Sequence, residues 1–167
     1  MIEDRHFLAD PAGVALCPGA AEGLLRLQRA GRRLVVISNQ SGVGRGLFTE
    51  EAVRAVNDRM VELLREAGVT LAGVYWCPHA PDAECDCRKP KPGQIHRALR
   101  ELGGDLCGAC VIGDRAADID LAHNLGLTAV LVRTGYGRAT EAALTTPPNF
   151  IADDLTAAAD FFLLDRA

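Results

Sequence analysis

Along the whole chain, short apolar runs alternate with stretches of helical period, and this alternation most restricts what the chain can fold into. Leu34–Ile37, Gly73–Trp76, Cys110–Ile112, Ala129–Val132 and Phe150–Ile151 are too short to be buried helices. They are rich in the β-branched and aromatic residues that suit strands. Between them lie segments with apolar residues every three or four positions. Strand, helix, strand in repetition is the signature of βα units and a mostly parallel sheet, so the expected class is α/β, Rossmann-like and doubly wound. The helix boundaries are written in side-chain chemistry. Thr49 caps a helix whose first turn carries Glu50 and Glu51, whose apolar face is Val53, Val56, Met60, Leu63, Leu64 and Ala67, and which Gly68 stops. Further helices are expected over 20–30, 93–102 and 116–125, and from Leu155 onward. At 167 residues the chain makes one domain, spanning 1–167.

Cys77 to Pro92 is the densest stretch of chemistry. Cys77, His79, Cys85 and Cys87 form two short pairs with five residues between them. That spacing closes a tetrahedral Cys₃His zinc site across a loop. Arg88 and Lys89 follow at once, so the metal would fix two cations in place, a device for recognising an anion such as phosphate. Cys17 reads as a small core residue, and Cys107 with Cys110 as a C-x-x-C that lacks the helix start a redox pair needs.

Composition excludes several classes. A net charge of −4 argues against a nucleic-acid footprint. No apolar run is long enough to span a bilayer, and no amino-terminal signal-like run is present. A reducing, cytoplasmic setting is expected, in which clustered cysteines favour metal over disulfide. A monomer is expected.

Each apolar run ends in a polar loop: Ser38-Asn39-Gln40, then Cys77 onward, then Gly113-Asp114-Arg115, then Arg133-Thr134-Gly135. These are carboxyl ends of strands, where open α/β sheets bind ligands. Ser38 and Asn39 offer a hydroxyl and an amide to phosphate oxygens, or simply make a turn. Lys89 offers a balancing charge, or is a solvated surface lysine. Asp114 fits a Mg²⁺ carboxylate, or caps the following helix. Asp118, one turn on, faces the same side and stands behind the site, whereas Asp120 is expected in solvent.

The order hydroxyl-amide loop, lysine, Gly-Asp-x-x-x-Asp resembles motifs two to four of the haloacid dehalogenase-like phosphatases. Ser38-Asn39-Gln40-Ser41-Gly42-Val43-Gly44-Arg45-Gly46, the zinc loop, Cys87-Arg88-Lys89-Pro90 and Arg133-Thr134-Gly135 resemble the D-glycero-D-manno-heptose 1,7-bisphosphate 7-phosphatases. The histidinol-phosphate phosphatases share the zinc loop.

The resemblance implies a Mg²⁺-dependent hydrolase of a small phosphorylated sugar in nucleotide-heptose precursor synthesis, working through an aspartyl-phosphate. Its substrate would be a heptose bisphosphate, with histidinol phosphate as alternative. Ser38 and Asn39 would bind the phosphoryl group beside Gln40, and Lys89 would balance its charge. Arg88 would contact the far end of the substrate and Arg115 would border it. Asp114 would hold Mg²⁺, and Cys77, His79, Cys85 and Cys87 would hold a structural Zn²⁺. No segment is long enough for a large cap, so the zinc-stapled loop alone would screen a capless site.

The family's first motif, an apolar strand ending in Asp-x-Asp-Gly, is missing. The chain starts Met1-Ile2-Glu3-Asp4-Arg5-His6, which resembles the segment just after that motif, and neither Asp4 nor Asp10 follows a strand that could aim it. Two consequences are expected. Nucleophile and general acid are absent from an amino-terminally truncated chain, which is unstable or inactive as written. The sheet also lacks its first central strand, leaving two inner strands unpaired. A zinc-stapled phosphate-binding remnant without catalysis is the reading from a different class.

Overall fold

A computed structural model describes residues 1–3 and 8–164. The elements in order are a 3-10 turn (Pro11–Gly13), α1 (Ala20–Arg29), β1 (Val35–Asn39), α2 (Ser41–Gly44), α3 (Glu50–Glu66), β2 (Gly73–Cys77) and α4 (Gly93–Leu102). They continue with β3 (Cys110–Gly113), α5 (Ala116–Asn124), β4 (Thr128–Val132), α6 (Gly137–Ala143), β5 (Phe150–Ala152) and α7 (Leu155–Leu164). Thr49 caps α3 as its chemistry requires, its hydroxyl accepting the Ala52 N–H at 3.3 Å.

Among the described residues the five strands pair only in parallel, and a single antiparallel bridge joins Ile2 to Leu16 outside them. β1 pairs with β2, Val35 opposite Gly73 through Asn39 opposite Cys77. β3 pairs with β4, and β4 with β5. Both faces of the second sheet are covered, as a doubly wound fold demands. Ala129 and Leu131 of β4 pack with Ile119 and Ala122 of α5, whereas Val130 and Val132 pack with Ala158 of α7 on the other face. Period-two alternation therefore puts successive residues of one strand into two cores.

The described residues form two sheets rather than one, ordered β1-β2 and β3-β4-β5. Burial marks the division: β4 is almost wholly buried, while every residue of β1 and β3 keeps some exposure. Ile112 of β3 and Val36 of β1 nonetheless pack against one core cluster, whose centre is Val14, Leu24, Met60 and Leu64. α1 and α7 close this side through Leu27, Ala159 and Phe162, with Arg26 to Asp160 at 2.6 Å.

Candidate active site and metal cluster

Because the strands run parallel, Asn39, Cys77, Gly113 and Val132 all end at the carboxyl edges of their sheets, and the polar loops that follow sit there. Ser38 and Asn39 are the last residues of β1 rather than loop residues, and this steadies their backbone.

Lys89 is held firmly, not solvated. Its side chain is only 13% exposed, and Nζ donates to Ile37 O and to Asp118 Oδ1, both at 2.6 Å. Asp118 is 7% exposed on its side chain, and its other oxygen accepts the Arg115 N–H at 3.1 Å. Asp118 is thus both the counter-ion of Lys89 and the carboxylate that caps α5, a role the sequence also allowed for Asp114. The Asn39 amide clasps the Lys89 main chain from both ends: Oδ1 accepts the Lys89 N–H at 3.0 Å and Nδ2 donates to Lys89 O at 3.1 Å. The amide read as a phosphate ligand is therefore engaged in placing the lysine. Gln40 Nε2 donates to the Ser38 hydroxyl at 3.0 Å, which orients that oxygen.

Asp114 follows β3 directly. Its Oδ2 accepts the Tyr136 N–H at 2.8 Å, and its main-chain oxygen accepts the Thr140 hydroxyl at 2.7 Å. Gly135, at φ 60°, lies so close that a Cβ there would overlap the carboxylate. One carboxylate oxygen is thereby fixed by backbone, and among the described residues the other accepts no hydrogen bond, a donor that suits a Mg²⁺ completed by water and phosphate. The Arg115 guanidinium stacks on the Tyr136 ring. Arg133 supports this arrangement from behind, with two bonds to Glu141 at 2.7 and 2.8 Å and one to Asp153 at 2.9 Å. These bonds hold both carboxyls below their usual range. Tyr136, Thr140 and Glu141 carry no signal in the sequence reading, although Tyr136 directly follows the quoted Arg133-Thr134-Gly135 and the other two lie on the helix after it.

The four soft ligands do converge. Cys77 Sγ lies 3.4 Å from His79 Nδ1 and 3.8 Å from Cys85 Sγ, and His79 Nδ1 lies 3.2 Å from Cys87 Sγ. All four ligand atoms fall within 4.8 Å of one another. Ligands about 2.3 Å from a tetrahedral zinc stand about 3.8 Å apart, so the cluster is compatible with that ion. Burial pushes the Cys77 thiol up, and burial reinforced by the neighbouring Cys77 and Cys85 sulfurs pushes Cys87 up to about 12. A bound cation would relieve this by stabilising thiolates.

The metal loop is sewn to the β1 loop. Gln40 N–H donates to Cys77 O and Gly44 N–H to Pro78 O, each at 2.8 Å. A Cβ on Gly44 would overlap Ala80 N, so only glycine permits this approach. Arg88 reaches back to His79 O at 3.5 Å.

Comparison with known proteins identifies the family. A HAD-hydrolase-like family model matches residues 86–158. The D-glycero-beta-D-manno-heptose-1,7-bisphosphate 7-phosphatase of Pseudomonas aeruginosa is 38% identical over 87% of this chain and 82% of its own length. The chain belongs to the haloacid dehalogenase-like phosphatases. The corresponding enzyme of Bordetella bronchiseptica is 35% identical over 94% of this chain and 88% of its own. A crystal structure of the D,D-heptose 1,7-bisphosphate phosphatase from B. bronchiseptica, complexed with magnesium and phosphate, superposes with a TM-score of 0.89 at 34% identity, covering 98% of this chain and 93% of that one. The chain is a phosphoric monoester hydrolase by family.

In that family the attacking group is an aspartate of the first motif. Asp114 and Asp118, which follow β3 at this edge, are tied to Tyr136 and to Lys89 respectively. Asp10 caps the 3-10 turn by accepting the Ala12 N–H at 2.9 Å. Asp4 lies outside the described residues. Cys17 is buried in the core cluster as expected, while Cys107 is exposed and Cys110 half-buried.

Proposed function

We propose that this chain serves the magnesium-dependent removal of the 7-phosphate from D-glycero-D-manno-heptose 1,7-bisphosphate. The observation that carries the reading is Lys89: a nearly buried ammonium held between Ile37 O and Asp118, at the strand ends where Ser38 closes β1 and Asp114 follows β3. A phosphoryl group carries charge on every oxygen, and the site matches it with a lysine, a hydroxyl and a place for a cation. Mg²⁺ on Asp114, when bound, supplies further charge neutralisation. Ser38 orients the phosphoryl group through its hydroxyl, and Lys89 offsets its charge. Arg115, braced on Tyr136, borders the sugar, and Arg88 extends from the metal loop toward the far end of the substrate. Zn²⁺ on Cys77, His79, Cys85 and Cys87 stiffens the loop that carries Arg88 and Lys89. We assign binding and charge balance to these residues and no attacking role.

The bisphosphate reading rests on the relatives' substrate and on the presence of Arg88 and Arg115 in the loops beside Lys89 and Asp114. Release of inorganic phosphate from heptose 1,7-bisphosphate and from histidinol phosphate, measured side by side with Mg²⁺, tests it. Faster release from the heptose supports the proposal, and faster release from histidinol phosphate replaces it with the histidinol reading. Binding of inorganic phosphate without release from either substrate makes the chain a phosphate-binding module.

A further inference from the structure

Gln94 is the second residue of α4 and is 3% exposed. Its Nε2 donates to Cys87 O at 2.7 Å and to Ser38 O at 3.1 Å. An amide nitrogen has two protons, so both are used, and one atom joins a metal-loop ligand residue to the β1 residue that carries the hydroxyl. The orientation is fixed: turning the amide would press Oε1 against two carbonyl oxygens. In the orientation adopted, Oε1 has no partner among the described residues. A buried acceptor left unpaired is costly. Filling space alone would favour a methionine or leucine here, and the glutamine is explained by its donor end. Gly93 brings that end into reach, because a Cβ there would overlap Asp86 O and its own N–H donates to the same oxygen at 3.0 Å.

We infer that Gln94 is a positioning residue that couples metal occupancy of the Cys77, His79, Cys85 and Cys87 cluster to the placement of Ser38 and Lys89. The inference rests on the zinc and phosphate roles proposed above. A second strand of the same coupling runs through Asn39, whose amide holds Lys89 two residues beyond Cys87. When the cluster holds its ion, Cys87 O is fixed and Gln94 can hold Ser38. When the ion leaves, the clamp loses one of its two anchors.

The test uses the full chain, zinc-loaded and chelator-stripped, as wild type and as Gln94→Met. Amide hydrogen exchange is read over 36–40, with α1 as a reference, and the affinity for inorganic phosphate is measured with Mg²⁺ present. Stripping wild type should speed exchange over 36–40 by about fivefold or more, the usual lower range for coupled sites. In Gln94→Met, exchange there should already be fast with zinc bound, and stripping should add less than about twofold, because the two perturbations break one connection. If stripping and substitution multiply independently, or if stripping changes only 78–87, the inference is overturned. Loss of protection in α1 on stripping wild type also overturns it, since the cluster is then a staple for the whole fold. If Gln94→Met does not fold, Gln94→Asn, which keeps the donor but shortens its reach, makes the same comparison. Failure of wild type to bind phosphate in either metal state removes the phosphate reading, while the exchange data still decide the coupling.

Discussion

Asp118→Ala tests the electrostatic centre of the site. The substitution leaves the Lys89 ammonium, whose side chain is 13% exposed, with only Ile37 O as described partner. Removing one member of a buried, hydrogen-bonded ion pair costs about 3–5 kcal/mol, because the remaining charge stays desolvated. Lys89 is not wholly buried, so the lower end applies, about 3 kcal/mol. Loss of the α5 cap to Arg115 N–H adds about 1 kcal/mol. For a chain of this length, about 4 kcal/mol lowers the melting temperature by roughly 8–16 °C. Urea unfolding followed by fluorescence of Trp76, the single tryptophan, reads it directly. The midpoint should fall with little change in slope, since the surface exposed on unfolding is nearly the same. Lys89→Met should also destabilise, and the double variant should be more stable than the sum of single effects predicts by about 2 kcal/mol. A cost for Asp118→Ala below about 1 kcal/mol, with additive single variants, would mean a solvated pair and would refute the reasoning.

Cys85→Ser should lower zinc content from about one equivalent to well below half, as one of four ligands is lost. Elemental analysis after dialysis checks this, and unchanged content would remove Cys85 from the ligand set. Gly44→Ala should destabilise by about 1–3 kcal/mol, because its Cβ meets the Ala80 backbone, which cannot rotate away. Thermal unfolding reads this, and a neutral outcome would mean that the metal loop moves freely from the β1 loop. Acidification should weaken the Arg133 network. Glu141 and Asp153 have folded-state pKa values below their unfolded ones, so their contribution is present above the unfolded values and is lost as pH falls through the folded ones. Both carboxylates are solvent-screened, so the slope should be shallow, and Arg133→Gln should flatten it further.

The strongly periodic parts of the fold are legible in the sequence. α3 has a cap, an acidic first turn and a glycine stop, and α4 runs from Gly93 to Leu102 as its pattern requires. α2 and α6 are not legible. Ser41-Gly42-Val43-Gly44 is shorter than two helical turns and glycine-rich, so it shows no period, and α6 begins after Tyr136 with no capping side chain. The loops of the site are legible because strands end where polar residues begin. What those residues do inside the site is less so, since it depends on partners far along the chain. Lys89 is buried by Ile37 and Asp118, and the Asn39 amide clasps the main chain of Lys89, fifty residues on. Gln94 lacks any local signal: its meaning comes from Ser38 and Cys87 meeting over it. The separation of β1-β2 from β3-β4-β5 among the described residues is not written in any local pattern, and it shows physically as the burial of β4 against the partial exposure of β1 and β3.

Phosphorus NMR of D-glycero-D-manno-heptose 1,7-bisphosphate incubated with the protein and Mg²⁺ tests the central claim most directly. The account predicts loss of the 7-phosphate resonance with growth of inorganic phosphate, while the 1-phosphate resonance persists, and arrest of both changes on chelation of Mg²⁺. Prior loss of the 1-phosphate, hydrolysis indifferent to Mg²⁺, or two unchanged resonances would contradict it.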